Sequence, residues 1–183
     1  MRLLVLALLA SLGAAPAPRY DVAPESRLWI DGTATTGPWT CQADGVVGQA
    51  EGDPSAPSGR LAVPVRAFDC GSGLMNRDLA EALGADDHPT IAFDLDAVGR
   101  IAPAPPDAWV EVVARGTLRL AGTARVVTVR ARGRRRADGR VELDGRQPLR
   151  MSAFGVRPPS HAAGLVRAQD AIVVRFSLVA VSR

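Results

Sequence analysis

Lysine is absent from this chain, so all 22 of its basic side chains are arginines, and any mechanism that needs a lysine Schiff base or lysine general base is excluded. Aromatic residues make up only 4%, too few for a nucleic-acid surface built on base stacking, and no nucleic-acid partner is expected. Only two histidines are present, His88 and His161, so a catalytic triad or a zinc site would have to use one or both. After the first residues no apolar run is long enough to cross a bilayer as a helix. Cysteine is limited to Cys41 and Cys70.

The 183 residues leave room for a leader and one domain. Residues 1–17 carry Arg2, an apolar run from Leu3 to Leu12 and small residues after it, the layout of a secretory signal; a single domain then occupies residues 18–183. The run is short for a permanent anchor, and no cysteine follows it where a lipid anchor would be attached. A soluble periplasmic or secreted protein is expected. In an exported chain an even pair of cysteines favours one disulfide, Cys41–Cys70, with two buried thiols as the alternative.

The rest of the chain alternates. Leu28 and Ile30 fall on one side of a strand with Trp29 and Asp31 on the other, and Gly45-Val46-Val47-Gly48 begins another short strand. Glu51 to Gly59 reads as a loop. Leu61, Val63 and Val65 alternate up to Asp69, then Cys70-Gly71-Ser72-Gly73 breaks the pattern and a helix begins. In it Leu74, Met75, Leu79, Ala82 and Leu83 have helical spacing, with Arg77, Asp78 and Glu81 left for water. His88-Pro89 forces an extended entry into Thr90–Leu95.

Beyond a proline-rich connection at Ile101–Asp107, Val110 to Leu120 forms a long strand and Ala121-Gly122 a tight turn. Val127 and Val129 lie on the return strand, and Asp138-Gly139 makes a second hairpin leading to Val141 and Leu143. A loop is expected from Met151 to Asp170, then a last strand with Ile172, Val174, Phe176 and Leu178 on one face. About eight or nine antiparallel strands and one short helix, with no helical crossover, fit a closed up-and-down barrel best. A two-sheet sandwich is the alternative, because both need one apolar face per strand.

Three stretches resemble the YceI family of exported, lipocalin-like proteins. They are Met75-Asn76-Arg77-Asp78-Leu79 with Ala82-Leu83, His88-Pro89-Thr90-Ile91 and Phe93; Gly116 to Thr123 (GTLRLAGT); and Met151 to Pro159 (MSAFGVRPP) before Gly164-Leu165-Val166 and Asp170. Their order covers essentially the whole mature chain. The resemblance implies an all-β, antiparallel, eight-stranded lipocalin-like barrel with one short amphipathic helix near its mouth. It also implies an elongated cavity for an amphiphilic, often polyisoprenoid, chain. The two cysteines look like those of a cysteine-bearing branch.

Such a carrier needs apolar lining more than polar motifs, since each buried methylene contributes roughly 0.8 kcal/mol. The expected lining is Ile30, Val63, Leu79, Ile91, Phe93, Val112, Leu118, Val129, Phe154 and Phe176, and for each of them solid core is the competing reading. No cofactor, metal or catalytic residue is expected. Asp86-Asp87-His88 lacks a second nitrogen or sulfur ligand at metal spacing, and Ser160-His161 lacks a nucleophile elbow and a placed carboxylate. Arg130, Arg132, Arg134, Arg135 and Arg136 form the main charge feature: a solvated strand face, partly neutralised by Glu142 and Asp144, or a patch for transient contact with anionic lipid. The expected partner is therefore a lipid-like small molecule, an isoprenoid or other amphiphile, for sequestration or transport. The alternative is a non-enzymatic interaction scaffold acting through loops or the arginine face, and homodimerisation is left open.

Overall fold

Alternating apolar residues give every strand one face that must leave water and one that can stay in it. When nearly all of a chain is such strands, curling the sheet until its edges meet buries the apolar faces together and removes the exposed edges. The computed structural model describes residues 17–52, 57–161 and 165–183, and its sheet closes in this way. The leader expected over residues 1–17 lies, apart from Ala17, outside the described residues, as does part of the loop expected between Glu51 and Gly59.

In chain order the strands are β1 (Arg19–Val22), β2 (Arg27–Ala34), β3 (Gly37–Ala43), β4 (Val47–Glu51), β5 (Ser58–Pro64) and β6 (Phe68–Asp69). Helix α1 (Gly73–Ala82) follows, then β7 (Thr90–Val98), β8 (Val110–Leu120), β9 (Thr123–Arg135), β10 (Val141–Arg150), β11 (Ser160–His161) and β12 (Val166–Ser182). Three pairs of consecutive strands act as single staves. β1 and β2 share one edge of β12; β4 and β3 continue one another alongside them; β5 and β6 pair with β4 and β3 in turn. With β7, β8, β9, β10 and β12 they make eight antiparallel staves in chain order, and β12 closes the ring by pairing with β10 on one edge and with β2 and β1 on the other. This is the up-and-down barrel and not the sandwich.

Local chemistry sets the turns and the helix. Ala121 (φ 48°) and Gly122 (φ 74°) are both left-handed, the condition for a two-residue turn whose twist matches the flanking strands. At the start of α1 Ser72 makes no side-chain cap. Instead Asn76 reaches back: its Oδ1 accepts the Cys70 N–H at 2.7 Å and its Nδ2 donates to Asp69 Oδ1 at 3.2 Å. The Gly71 N–H and Asn76 together hold the Asp69 carboxyl below the usual carboxylate range. The disulfide between Cys41 and Cys70 lies one register position beyond the Gln42–Asp69 pair, so the same corner is fastened covalently and by hydrogen bonds.

Two expectations need correction. Helical spacing puts Leu74 on the buried face of the helix, but it is 55% exposed, while Ala80 and Leu83 are buried. Helical spacing fixes a face only to within neighbouring positions, and Ala80, with nothing beyond Cβ, lets the helix backbone approach the barrel closely. The loop expected to run to Asp170 ends earlier, because β12 begins at Val166. Asp170 hid the strand by interrupting its alternation, and a register shift lies between Ala168 and Ile172. Its carboxylate instead accepts the Ser152 N–H and hydroxyl, both at 2.7 Å, which fixes the short turn Met151–Phe154.

On the outer face Asp31 of β2 ties three staves together. Arg175 of β12 donates to both of its oxygens, and the Thr40 hydroxyl of β3 donates at 2.8 Å. The Arg175 hydrogen bond holds the Asp31 carboxyl below the usual range; partial burial opposes this, and Thr40 adds to it.

Two tests follow from these fasteners. The pair Cys41→Ala with Cys70→Ala releases a loop of 29 residues' separation, and a loss of about 3 to 4 kcal/mol is expected in urea unfolding. Because the Asp31 pKa is depressed in the folded state, its stabilisation is present at neutral pH and lost as pH falls through the folded value. Asp31→Asn is therefore expected to destabilise at pH 7, with a deficit that shrinks as the pH falls below the ordinary aspartate range and through the lowered folded value; a deficit that does not change with pH would show that shape, not charge, is what the site supplies.

Candidate functional site

An eight-stranded barrel can fill itself with side chains or leave room for one ligand, and the volumes at its inward positions decide which. Here one arc of the wall carries small inward residues: Ala114 and Gly116 on β8, Ala131 and Gly133 on β9, Gly145 on β10. The large rings lie against such positions. Trp39 covers Gly32, Phe93 covers Gly116 and Phe176 covers Gly145, so closely that a Cβ at any of these glycines would fall inside the ring's van der Waals envelope. A ring lying flat on a glycine thickens the wall and leaves the axis free.

The result is a cavity of about 560 Å³ along the barrel axis, within the range of small-molecule sites. Its wall runs from Trp39, Pro159 and Val166 at the end with the β2–β3 turn to Tyr20 and Val98 at the other. Nine of the ten residues expected to line it do so: Ile30, Val63, Leu79, Ile91, Phe93, Val112, Leu118, Val129 and Phe176. Phe154 does not. It is 2% exposed in the turn Met151–Phe154, where its carbonyl accepts the Thr123 hydroxyl at 3.1 Å. Left-handed Gly155 ends that turn and tucks Phe154 into the core above the lumen instead of along a strand face.

Sequence reading missed several wall residues. Both disulfide cysteines face the cavity, as does Trp39, whose ring the alternation of β3 would have assigned inward. Asp78 of α1, which helical spacing assigns to water, reaches the wall. Gln147 is the polar lining residue of β10, on the same parity as Leu143 and Leu149, and it pairs with Val174; that parity was the signal.

Outside the barrel the arginine stretch is largely matched. Arg132 meets Asp144 at 3.2 Å and Arg134 meets Glu142 at 2.6 Å, the cross-strand neutralisation read from the sequence. Arg136 reaches Asp107 at 3.2 Å. Trp109, overlooked beside the proline-rich connection, lies under the guanidinium groups of Arg132 and Arg134 at 4.5 and 4.4 Å. His88 is exposed, donates its backbone N–H to the Gly84 carbonyl at 2.7 Å and sets its ring near Gly122. The His161 side chain lies outside the described residues. Among the described residues no group of three or more His, Cys, Asp or Glu side chains is placed to hold a metal.

Comparison with known proteins agrees with the architecture. BcnA of Burkholderia cenocepacia is 25% identical, with a TM-score of 0.68 over 86% of this chain and 97% of that one. A polyisoprenoid binding domain from Saccharophagus degradans, implicated in plant cell wall breakdown, shares the fold at 14% identity, with a TM-score of 0.73 over 90% and 98% of the two chains. The YCEI protein of Campylobacter jejuni does so at 14% identity, with a TM-score of 0.60 over 78% and 84%. No relative among curated proteins matches. The model of the YceI-like domain matches residues 25–180, and with the closed barrel and its apolar lumen this places the chain in the YceI-like family.

Proposed function

We propose that the protein holds a lipid-like amphiphile, isoprenoid in character, inside the barrel, and that it does so after export, in the periplasm or outside the cell, to sequester or carry that molecule. The observation that supports this is the apolar cavity along the barrel axis, about 560 Å³ in volume. A chain threaded along it is held by area and not by directional contacts. At roughly 0.8 kcal/mol per buried methylene, a few isoprene units outweigh the freedom lost on binding. The polyisoprenoid named for the Saccharophagus relative has the slender, branched shape such a bore accepts. The leader-like residues 1–17 support export. Catalysis plays no part in this reading, which asks nothing of His88 or His161.

The alternative, a scaffold working through the arginine face, has less to draw on. Arg132, Arg134 and Arg136 are already engaged by Asp144, Glu142 and Asp107, so a partner would first have to displace those acids.

Mass spectrometry of an organic extract from protein purified out of its native envelope is the direct test. A stoichiometric hydrophobic species is expected, lost from a variant with Phe93→Gln and Leu118→Gln that retains the parent circular dichroism spectrum. An empty extract, with no uptake of added geranylgeraniol, would sink the carrier reading. Gly145→Ala tests the wall itself. The added methyl should push the Phe176 ring into the lumen, cost about 1 to 3 kcal/mol and lower the ligand bound per protein; unchanged occupancy would mean that the ring does not set the bore.

A further inference from the structure

The barrel wall is not evenly sewn. From Val141–Arg135 to Gly145–Ala131, β10 and β9 form a regular ladder, and the ion pairs Arg134–Glu142 and Arg132–Asp144 close its outer face. Beyond Gly145 the ladder stops, although both strands continue and each stays paired on its other edge, β9 to β8 and β10 to β12. The same register carried onward would set Arg146 opposite Arg130 and Pro148 opposite Thr128. Two causes therefore end the pairing. The acid series Glu142, Asp144 gives way to an arginine facing an arginine with no acid among the described residues held on either, unlike Arg146 and Arg175 in the intact β10–β12 ladder, where Asp31 is bound to Arg175, and like charges directly opposite oppose pairing. Pro148 has no N–H to contribute to a ladder.

The gap is bounded above by the Thr123 hydroxyl donating to the Phe154 carbonyl and below by the Gly145–Ala131 pair. It spans Arg146 to Arg150, roughly 15 Å of strand. Its surroundings have a consistent chemistry. On the lumen side stands Gln147, whose Nε2 donates to the Pro148 carbonyl at 3.2 Å while its side-chain oxygen is left to accept. Arg125 pairs with inward-facing Leu118 and so occupies a lumen-side position, yet it is exposed. Val126, next to it on the outer face, is 56% exposed. Arg130 and Arg146 are exposed on the outer rim. Among the described residues none of Arg125, Arg130 and Arg146 forms an ion pair, in contrast to Arg132, Arg134 and Arg136 just below. Asp31, which feels the charge of Arg146, is already held by Arg175 and Thr40.

We propose that the gap between β9 and β10 is the head-group port of the cavity: the apolar tail lies in the barrel, its neck passes Gln147, and an anionic head of the phosphate class sits between Arg130 and Arg146. This rests on the carrier reading above. Guanidinium groups grip phosphate oxygens through paired N–H donors, and Arg130 and Arg146, set across one opening with neither in an ion pair among the described residues, have charge left to answer. A neutral alcohol head would leave both unanswered.

The test compares geranylgeranyl phosphate with geranylgeraniol, which share a tail and differ only in the head, binding to the full chain by calorimetry. The parent is expected to prefer the phosphate by about tenfold, with the preference shrinking as salt is raised. The variant Arg130→Thr with Arg146→Thr should lose the preference while its affinity for the alcohol stays within about twofold, a built-in check of folding. Arg132→Thr with Asp144→Thr, one step down the same strands, should keep it. Equal binding of the two compounds by the parent, or a preference that survives loss of both rim arginines, would overturn the port and leave the carrier reading standing. Failure of the parent to bind either compound would bring down the carrier reading, and the port with it.

Discussion

Closure of the sheet is the constraint on which everything else depends. A closed ring of staves fixes the circumference, and from then on only the inward side chains decide whether the interior is solid or hollow. In this chain β12, at 17 residues the longest strand, makes closure possible by serving β10 along one edge and two successive strands along the other. The lumen stays open because small residues occupy one arc and the rings of Trp39, Phe93 and Phe176 lie on glycines instead of projecting inward. Protein interiors otherwise pack to crystalline density, and an apolar hollow forfeits dispersion contacts on every atom of its lining. An occupant restores them, so fold stability and occupancy are linked through the same surface.

The outer surface follows a different rule, because its only cations are arginines. A guanidinium can bridge to a neighbouring strand and cover a ring at the same time, and the structure uses both at once. Arg175 grips Asp31 while lying 5.1 Å from the Trp29 ring, and Arg134 grips Glu142 while lying over Trp109. Where acid and base alternate across a pair of strands, the ladder is intact. Between β9 and β10 it ends where Arg146 would meet Arg130, whereas Arg146 and Arg175 face each other in the intact β10–β12 ladder, where Asp31 is held on Arg175; the acids between the arginines help decide how far the wall is sewn.

Much of this was legible in the sequence because period-two alternation is a local property. Ile30, Val63, Phe93, Val112, Leu118 and Phe176 could be assigned inward from their neighbours alone, and a lumen-facing position needs no further information. What failed was whatever depended on contacts distant in sequence. Asp170 broke the pattern of β12 because its carboxylate serves Ser152, eighteen residues earlier. Phe154 was misplaced because a left-handed glycine turns its segment out of the strand. Leu74 was misplaced because Ala80 settles how the helix docks. The break in the β9–β10 ladder was written in Arg146 and Pro148, but it can be read only once the register that opposes Arg146 to Arg130 is known.

The three tryptophans occupy two distinct electronic environments, and this has a spectroscopic consequence. Trp29 and Trp109 lie on the outer wall beneath guanidinium groups, and the Trp29 indole N–H is fixed on Gln42. Trp39 alone borders the lumen. Emission from the outer pair is set by cations that do not depend on what fills the barrel, whereas the Trp39 indole borders a medium whose polarity changes between water and hydrocarbon. The protein thus carries an internal optical gauge of its own filling, together with two reference emitters on the same scaffold.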